Sequence, residues 1–148
     1  MSSSVITVRT GTEYPVKRLR VLIADDYAPI LDLVHHVLAR RFEIVGLVSD
    51  GESLIDAARR LQPDVIVTDI NMPLLTGLEA VGELRKSADP PKFIFVTMHD
   101  DPLVIDKALS LGASGYVFKS RMMSDLEQAI DTAINGEVFI SPTLRWNT

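Results

Sequence analysis

Cysteine is absent from the 148 residues. Disulfide staples, thiol nucleophiles and cysteine-ligated metals are thereby excluded, and a reducing compartment is compatible with the composition. A basic excess is missing as well: 15 Lys and Arg stand against 20 Asp and Glu, for a formal net charge of -5. Such a chain has no general attraction to nucleic acid or to an anionic membrane, so neither is an expected direct partner. Long apolar runs are also missing. Val65-Ile66-Val67 and Phe93-Ile94-Phe95-Val96 are among the longest, far short of a bilayer span. The opening MSSSVITVRTGTEYP has no charged stretch ahead of a long apolar core, so it does not read as a secretory signal. A cytoplasmic location is the expectation from these gaps.

What is present is enough apolar material for one ordinary core, at 47% hydrophobic residues. Residues 1–17 are Ser/Thr-rich without periodicity and read as a flexible N-terminal arm. Beyond them, short β-rich runs at 19–24, 43–48, 65–68, 93–97 and 115–118 alternate with helical spacing over 29–40, 52–61, 77–86, 102–111 and 123–135. Asp50-Gly51-Glu52 and Thr76-Gly77 are helix starts, and Leu111-Gly112 is a helix stop. In the last helix Leu126, Ile130, Ala133 and Ile134 form the apolar stripe, with Asp125, Glu127 and Asp131 on its other faces. Strands alternating with helices imply right-handed crossovers and a parallel sheet covered on both sides, a doubly wound, flavodoxin-like α/β sandwich. Sites in such sheets form beyond the C-terminal strand ends.

At those ends stands a set of chemically capable residues. Asp25-Asp26 follow the first strand, Asp69 the third, Thr97 closes the fourth and Lys119 follows the fifth. Taken singly each has a bland reading: a helix cap or turn for the aspartates, a strand-end threonine, a surface lysine. Together they occupy one edge of one sheet. Converging carboxylates repel and resist ionisation unless a cation intervenes, and Mg²⁺ accepts a few carboxylates plus water and phosphate oxygens. A carboxylate beside Mg²⁺ can attack phosphorus and form an aspartyl phosphate. A lysine and a hydroxyl can hold the remaining phosphoryl oxygens.

VLIADD at 21–26, VIVTDINMPLLTGLEA at 65–80, FVTMHDD at 95–101 and GASGYVFKS at 112–120 resemble the response-regulator receiver domain of two-component signalling, over about residues 18–140. The resemblance implies a five-stranded parallel sandwich with strand order 2-1-3-4-5. It implies that Asp69 accepts a phosphoryl group from a sensor histidine kinase. Asp26, Asp69 and the Asn71 backbone carbonyl would ligate Mg²⁺, with Asp25 holding a metal-bound water. Thr97 and Lys119 would grip the phosphoryl oxygens, and Tyr116 would be the switch aromatic that follows Thr97. The surface of the fourth helix, fifth strand and last helix would then be read by a partner. Asn71 and His99 occupy the positions that tune dephosphorylation. Met98 stands where the family often has a small residue, and its bulk is expected to shift the Tyr116 rotamer balance.

TMHDD, GASGY and NGEVFISP at 135–142 are most similar to the NarL/LuxR-type subfamily, whose receivers precede a helix-turn-helix domain and whose output is transcription. Residues 141–148 read as a tail or linker stub, with Trp146 available to pack on the last helix or on a partner. Both a stand-alone receiver and a receiver cut from a longer regulator fit this sequence. A homodimer through the last helices is implied by resemblance alone. His35-His36, on the first helix, read as surface residues. Two other functions stay open: a receiver-like scaffold that works without phosphorylation, and a phosphatase of the haloacid-dehalogenase kind. The latter needs an acid two residues after its nucleophile, where this chain has Asn71.

Overall fold

The computed structural model describes residues 6–7, 15–16 and 18–142. Ile6–Thr7 pairs antiparallel with Pro15–Val16 as a short ribbon. The rest of the expected arm, and positions 143–148 with Trp146, lie outside the described residues.

The main sheet is parallel and has six strands: β1 (Arg20–Ala24), β2 (Glu43–Val48), β3 (Val65–Thr68), β4 (Lys92–Thr97), β5 (Gly115–Phe118) and β6 (Phe139–Ile140). Their order is 2-1-3-4-5-6. The expected five-stranded sheet is therefore extended by one short edge strand, which pairs through Gly115 with Phe139 and Tyr116 with Ile140. Two residues are too few to show a β period, so the sequence carries no sign of β6. Five helices connect the strands: α1 (Ala28–Leu38), α2 (Gly51–Leu61), α3 (Gly77–Leu84), α4 (Pro102–Ser110) and α5 (Met122–Ile134). Among the described residues no helix is long and apolar enough to cross a membrane.

Side-chain alternation sorts each strand between two cores. Leu22, Ile66, Phe93, Phe95, Tyr116 and Phe118 face Leu54, Ala80, Val81, Ile105 and Ala108 of α2, α3 and α4. Val21, Ile23, Val65, Val67, Ile94, Val96 and Val117 face Val34, Leu38, Leu126, Ala129 and Ile130 of α1 and α5. The starts of α2 and α3 are capped as their sequences require. The Asp50 side chain accepts from the Ser53 N–H, and Thr76 and Glu79 form a reciprocal capping box.

Two glycines press the loop after β3 against the sheet end. A Cβ at Gly77 would lie 1.9 Å from the Asp69 carbonyl oxygen, and one at Gly51 would lie 2.1 Å from that of Leu75. In return the Gly77 N–H donates to the Ile70 carbonyl at 2.6 Å. Between them Leu74 holds a left-handed backbone, φ 69°, with its side chain exposed; this is an uncommon conformation for a residue with a Cβ.

Candidate functional site

The parallel ladder continues one step past the strands and delivers the acidic residues side by side. Ala24 is in register with Thr68. The Asp25 N–H then donates to the Val48 carbonyl, and the Asp69 N–H to that of Ala24. Asp25 and Asp69 are both buried, at 2% and 7% exposure, while Asp26 is exposed. One carboxylate oxygen from each of the three lies within 4.8 Å of the others. On the other side Thr97 is in register with Phe118, which places Lys119 one residue beyond it at the same edge. Its Nζ lies 3.1 Å from Asp25 Oδ2 and 3.1 Å from Asp69 Oδ2.

The second oxygen of Asp25 and of Asp69 has a backbone donor. Asp25 Oδ1 accepts from the Tyr27 N–H at 2.9 Å, and Asp69 Oδ1 from the Ile70 N–H at 2.7 Å. One ammonium between two carboxylates benefits unequally. Burial pulls the Lys119 ammonium down, but Asp69 and Asp25 together outweigh it and hold it above its ordinary value. Burial pushes the Asp25 carboxyl up; the Tyr27 N–H and Lys119 pull it back, yet the neighbouring Asp69 charge adds to the rise, and it stays above its ordinary value. The lysine gains from two partners, whereas each aspartate has only a share of one. This donor set suits a hard divalent cation: three oxygen ligands, net negative charge, one ligand open to solvent.

The threonine side of the site is wired to the aromatic. Thr97 Oγ1 accepts from the His99 N–H at 3.2 Å, and the Tyr116 hydroxyl donates to the His99 carbonyl at 3.0 Å. Tyr116 has no exposed surface, and its hydroxyl is pushed above its ordinary pKa by burial and by the charges of Asp100, Asp101 and Asp69. Its ring lies 5.8 Å from Phe118, edge-on. Met98 does not crowd that ring as its bulk suggests: its side chain is 77% exposed and turned to solvent. The residue type was visible in the sequence, but the direction of its side chain at the strand end was not. Asn71 and His99 meet across the mouth of the site, Asn71 Nδ2 against His99 Nε2.

Two residues of consequence are not marked by the sequence pattern. The apolar stripe of the last helix puts Asp125 on a polar face, but it is buried at 4% exposure, and Ser141, in the expected tail, is buried as well. Asp125 accepts from Arg121 Nε at 2.8 Å and Nη2 at 3.3 Å, from Ser124 Oγ at 2.9 Å and from Ser141 Oγ at 2.7 Å. Glu127 and Asp131 do lie outside the core, paired with Arg40 and Arg41 at the end of α1. An aspartate is rarely buried unless it is paired, so only the return of the chain through β6 betrays the burial of Asp125.

The chain is similar to known proteins along most of its length. The family model of the response regulator receiver domain matches residues 21–131. The transcriptional regulatory protein DegU of Brevibacillus brevis is 32% identical over 132 residues, covering 88% of this chain and 56% of that protein. The response regulator GacA of Pseudomonas viridiflava is 33% identical over 128 residues, covering 85% and 60%. The chain thus spans little more than half the length of these curated relatives. A crystal structure of a LuxR-family two-component response regulator from Aurantimonas sp. SI85-9A1 superposes with a TM-score of 0.80 at 29% identity, over 85% of this chain and 91% of that one. With its sheet order, its acidic edge and its match over residues 21–131, the chain belongs to the response regulator receiver domain family and is a signalling domain of the two-component type.

Proposed function

We propose that Asp69 is the phospho-acceptor of this receiver, taking its phosphoryl group from a histidine of a sensor kinase. The observation that carries the reading is the single Lys119 ammonium held 3.1 Å from both Asp25 and Asp69. It is positioned for an oxygen that is to arrive between them. One Asp69 carboxylate oxygen attacks phosphorus, the P–N bond to the donor imidazole breaks, and the imidazole leaves with a proton from solvent. Asp26, Asp69 and the Asn71 backbone carbonyl would hold Mg²⁺, with Asp25 holding one of its waters; when bound, the ion offsets charge on the phosphoryl oxygens. Lys119 and the free proton of the Thr97 hydroxyl bind the other oxygens. The domain therefore promotes its own modification and no turnover of an external substrate.

The same bonds convert the modification into a switch. A phosphoryl group that draws the Thr97 hydroxyl toward Asp69 alters the acceptor of the His99 N–H, and the His99 carbonyl is the acceptor of Tyr116. The β4–α4 loop then couples the site to the surface of α4, β5 and α5, whose two arrangements the new charge-assisted bonds bias. Asn71 and His99, in contact over the site, are placed to govern the access of water to the acyl phosphate. By analogy with the transcriptional regulatory protein DegU, the output is transcriptional control through a partner or an attached domain; homodimerisation of the receiver and a cytoplasmic location are implied by the family resemblance alone. We place the receiver proper at residues 18–140, with an arm at 1–17 and a tail or linker stub at 141–148 whose first residue, Ser141, is buried against the domain. Asn71 offers no carboxyl to serve as general acid, which argues against the phosphatase reading.

The test is a reaction with phosphoramidate, whose P–N bond mimics phosphohistidine. The expected product is one Mg²⁺-dependent adduct that hydroxylamine removes, as it does an acyl phosphate, and that is strongly reduced in Asp26→Asn. An adduct stable to hydroxylamine would place the phosphoryl group elsewhere and contradict the assignment.

A further inference from the structure

The bonds of Ser141 and Asp125 converge on the strand that carries Tyr116 and Lys119. β6 ends at Ile140, but the pairing with β5 does not stop there. The Ser141 N–H donates to the Tyr116 carbonyl at 2.9 Å. The Ser141 hydroxyl then accepts from the Phe118 N–H at 3.3 Å and donates to Asp125 Oδ2 at 2.7 Å. A side chain thus supplies the next rung of the sheet, immediately before Lys119. Asp125 is fixed in turn by Arg121 and Ser124, so the hydroxyl has one defined orientation. Removing it would leave a buried N–H and a buried carboxylate oxygen each short of a partner. Pro142, the next residue, lines a cleft of about 330 Å³ together with Thr97, Phe118 and Lys119. The chain leaving the domain therefore borders the candidate phosphoryl site on two sides, through the sheet and through the cleft.

We infer that Ser141 and Asp125 are positioning residues for Lys119, and that the segment from Phe139 to Pro142 is mechanically part of the phospho-acceptor site. The inference rests on the role given to Lys119 above. A helix-start aspartate that merely stabilised α5 would need Arg121 and Ser124 alone. The fourth bond, to Ser141, leads away from the helix to the end of β5. Coupling of this kind is reciprocal: what tightens the phosphoryl site must also tighten the Ser141 rung, and loosening the rung must weaken the site. Whatever follows residue 142 thereby has a direct path by which to sense phosphorylation, distinct from the Thr97–His99–Tyr116 route.

The experiment is an NMR titration of the ¹⁵N-labelled chain with beryllofluoride in the presence of Mg²⁺. In the wild type, the amide resonances of Phe118 and Ser141 are expected to shift in step with those around Asp69. In Ser141→Ala, the half-saturating concentration is expected to rise roughly three- to tenfold, the range of one lost buried hydrogen bond. Leu61→Ala, on the far side of the sheet and partly buried against the core, controls for lost stability and is expected to bind as the wild type does. If Ser141→Ala does not fold, the isosteric Asp125→Asn carries the test and is expected to weaken binding in the same direction by roughly twofold or more. Saturation of the wild type with no movement at Phe118 and Ser141, binding by Ser141→Ala (or its substitute Asp125→Asn) as tight as the wild type, or an equal loss in Leu61→Ala would each overturn the inference. A folded wild type that does not bind beryllofluoride at all would overturn the phospho-acceptor reading and this inference with it.

Discussion

Asp25 and Asp125 are residues of one type, both almost fully buried, both touching a cation, and their carboxyls are displaced in opposite directions. At Asp125 burial pushes the carboxyl up, but hydrogen bonds from Arg121, Ser141 and Ser124 outweigh it and hold the group below its ordinary value. At Asp25 burial wins, because its one ammonium is shared with Asp69 and the Asp69 charge works against it. The difference separates a finished polar network from an unfinished one. The region around Asp125 gives its carboxylate four hydrogen-bond donors and serves to hold β5, α5 and β6 together. The edge around Asp25, Asp26 and Asp69 carries three acids and one base, a deficit that a cation and a phosphoryl group would complete.

The largest effect is expected at the unfinished edge: Lys119→Ala should slow phosphoryl transfer to Asp69 by about 10²-fold or more, since charge stabilisation is the main contribution of the site. Following adduct formation with a small phosphodonor checks it. On the finished side Asp125→Ala should lower unfolding stability by about 2–3 kcal/mol, because Arg121, Ser124 and Ser141 lose a common acceptor; urea denaturation reads this directly. Asp25→Asn should do the reverse and stabilise the metal-free fold at neutral pH, by less than about 1 kcal/mol. The pH dependence gives the sign. The Asp25 carboxyl is raised in the fold, so its contribution is fully present below its ordinary 3.8 and is lost as pH rises through the folded value. The gain from Asp25→Asn should therefore vanish in acid. The Asp125 carboxyl is lowered, so its contribution is present above 3.8 and is lost as pH falls through the folded value. Acid titration of the two single variants should show opposite slopes. The smallest effect is local: Leu74→Gly relieves the left-handed residue beside the acidic edge and should stabilise by about 0.5 kcal/mol.

Most of the fold is legible in the chain because both of its periodicities are strong. Val65-Ile66-Val67 and Phe93-Ile94-Phe95-Val96 alternate between two cores, and Thr76 and Asp50 mark helix starts that the structure confirms as side-chain caps. The acidic edge is legible for a different reason. A strand that runs into Asp69 has no packing motive, and parallel topology forces Asp25, Thr97 and Lys119 to the same end. What stayed hidden depends on direction and on return of the chain. Met98 has the bulk to crowd Tyr116 but points to solvent. Phe139–Ile140 is too short to announce a strand, and without it nothing marks Asp125 as buried or Ser141 as a rung of the sheet.

The measurement that bears most directly on the central claim is the intact mass of the chain after incubation with acetyl phosphate and Mg²⁺, wild type beside Asp69→Asn. Phosphorylation at Asp69 predicts a single phosphoryl adduct on the wild type, absent from Asp69→Asn and absent when Mg²⁺ is withheld. An adduct that persists in Asp69→Asn, or a folded wild type that takes no phosphoryl group from acetyl phosphate or from a histidine-phosphorylated donor, would contradict it.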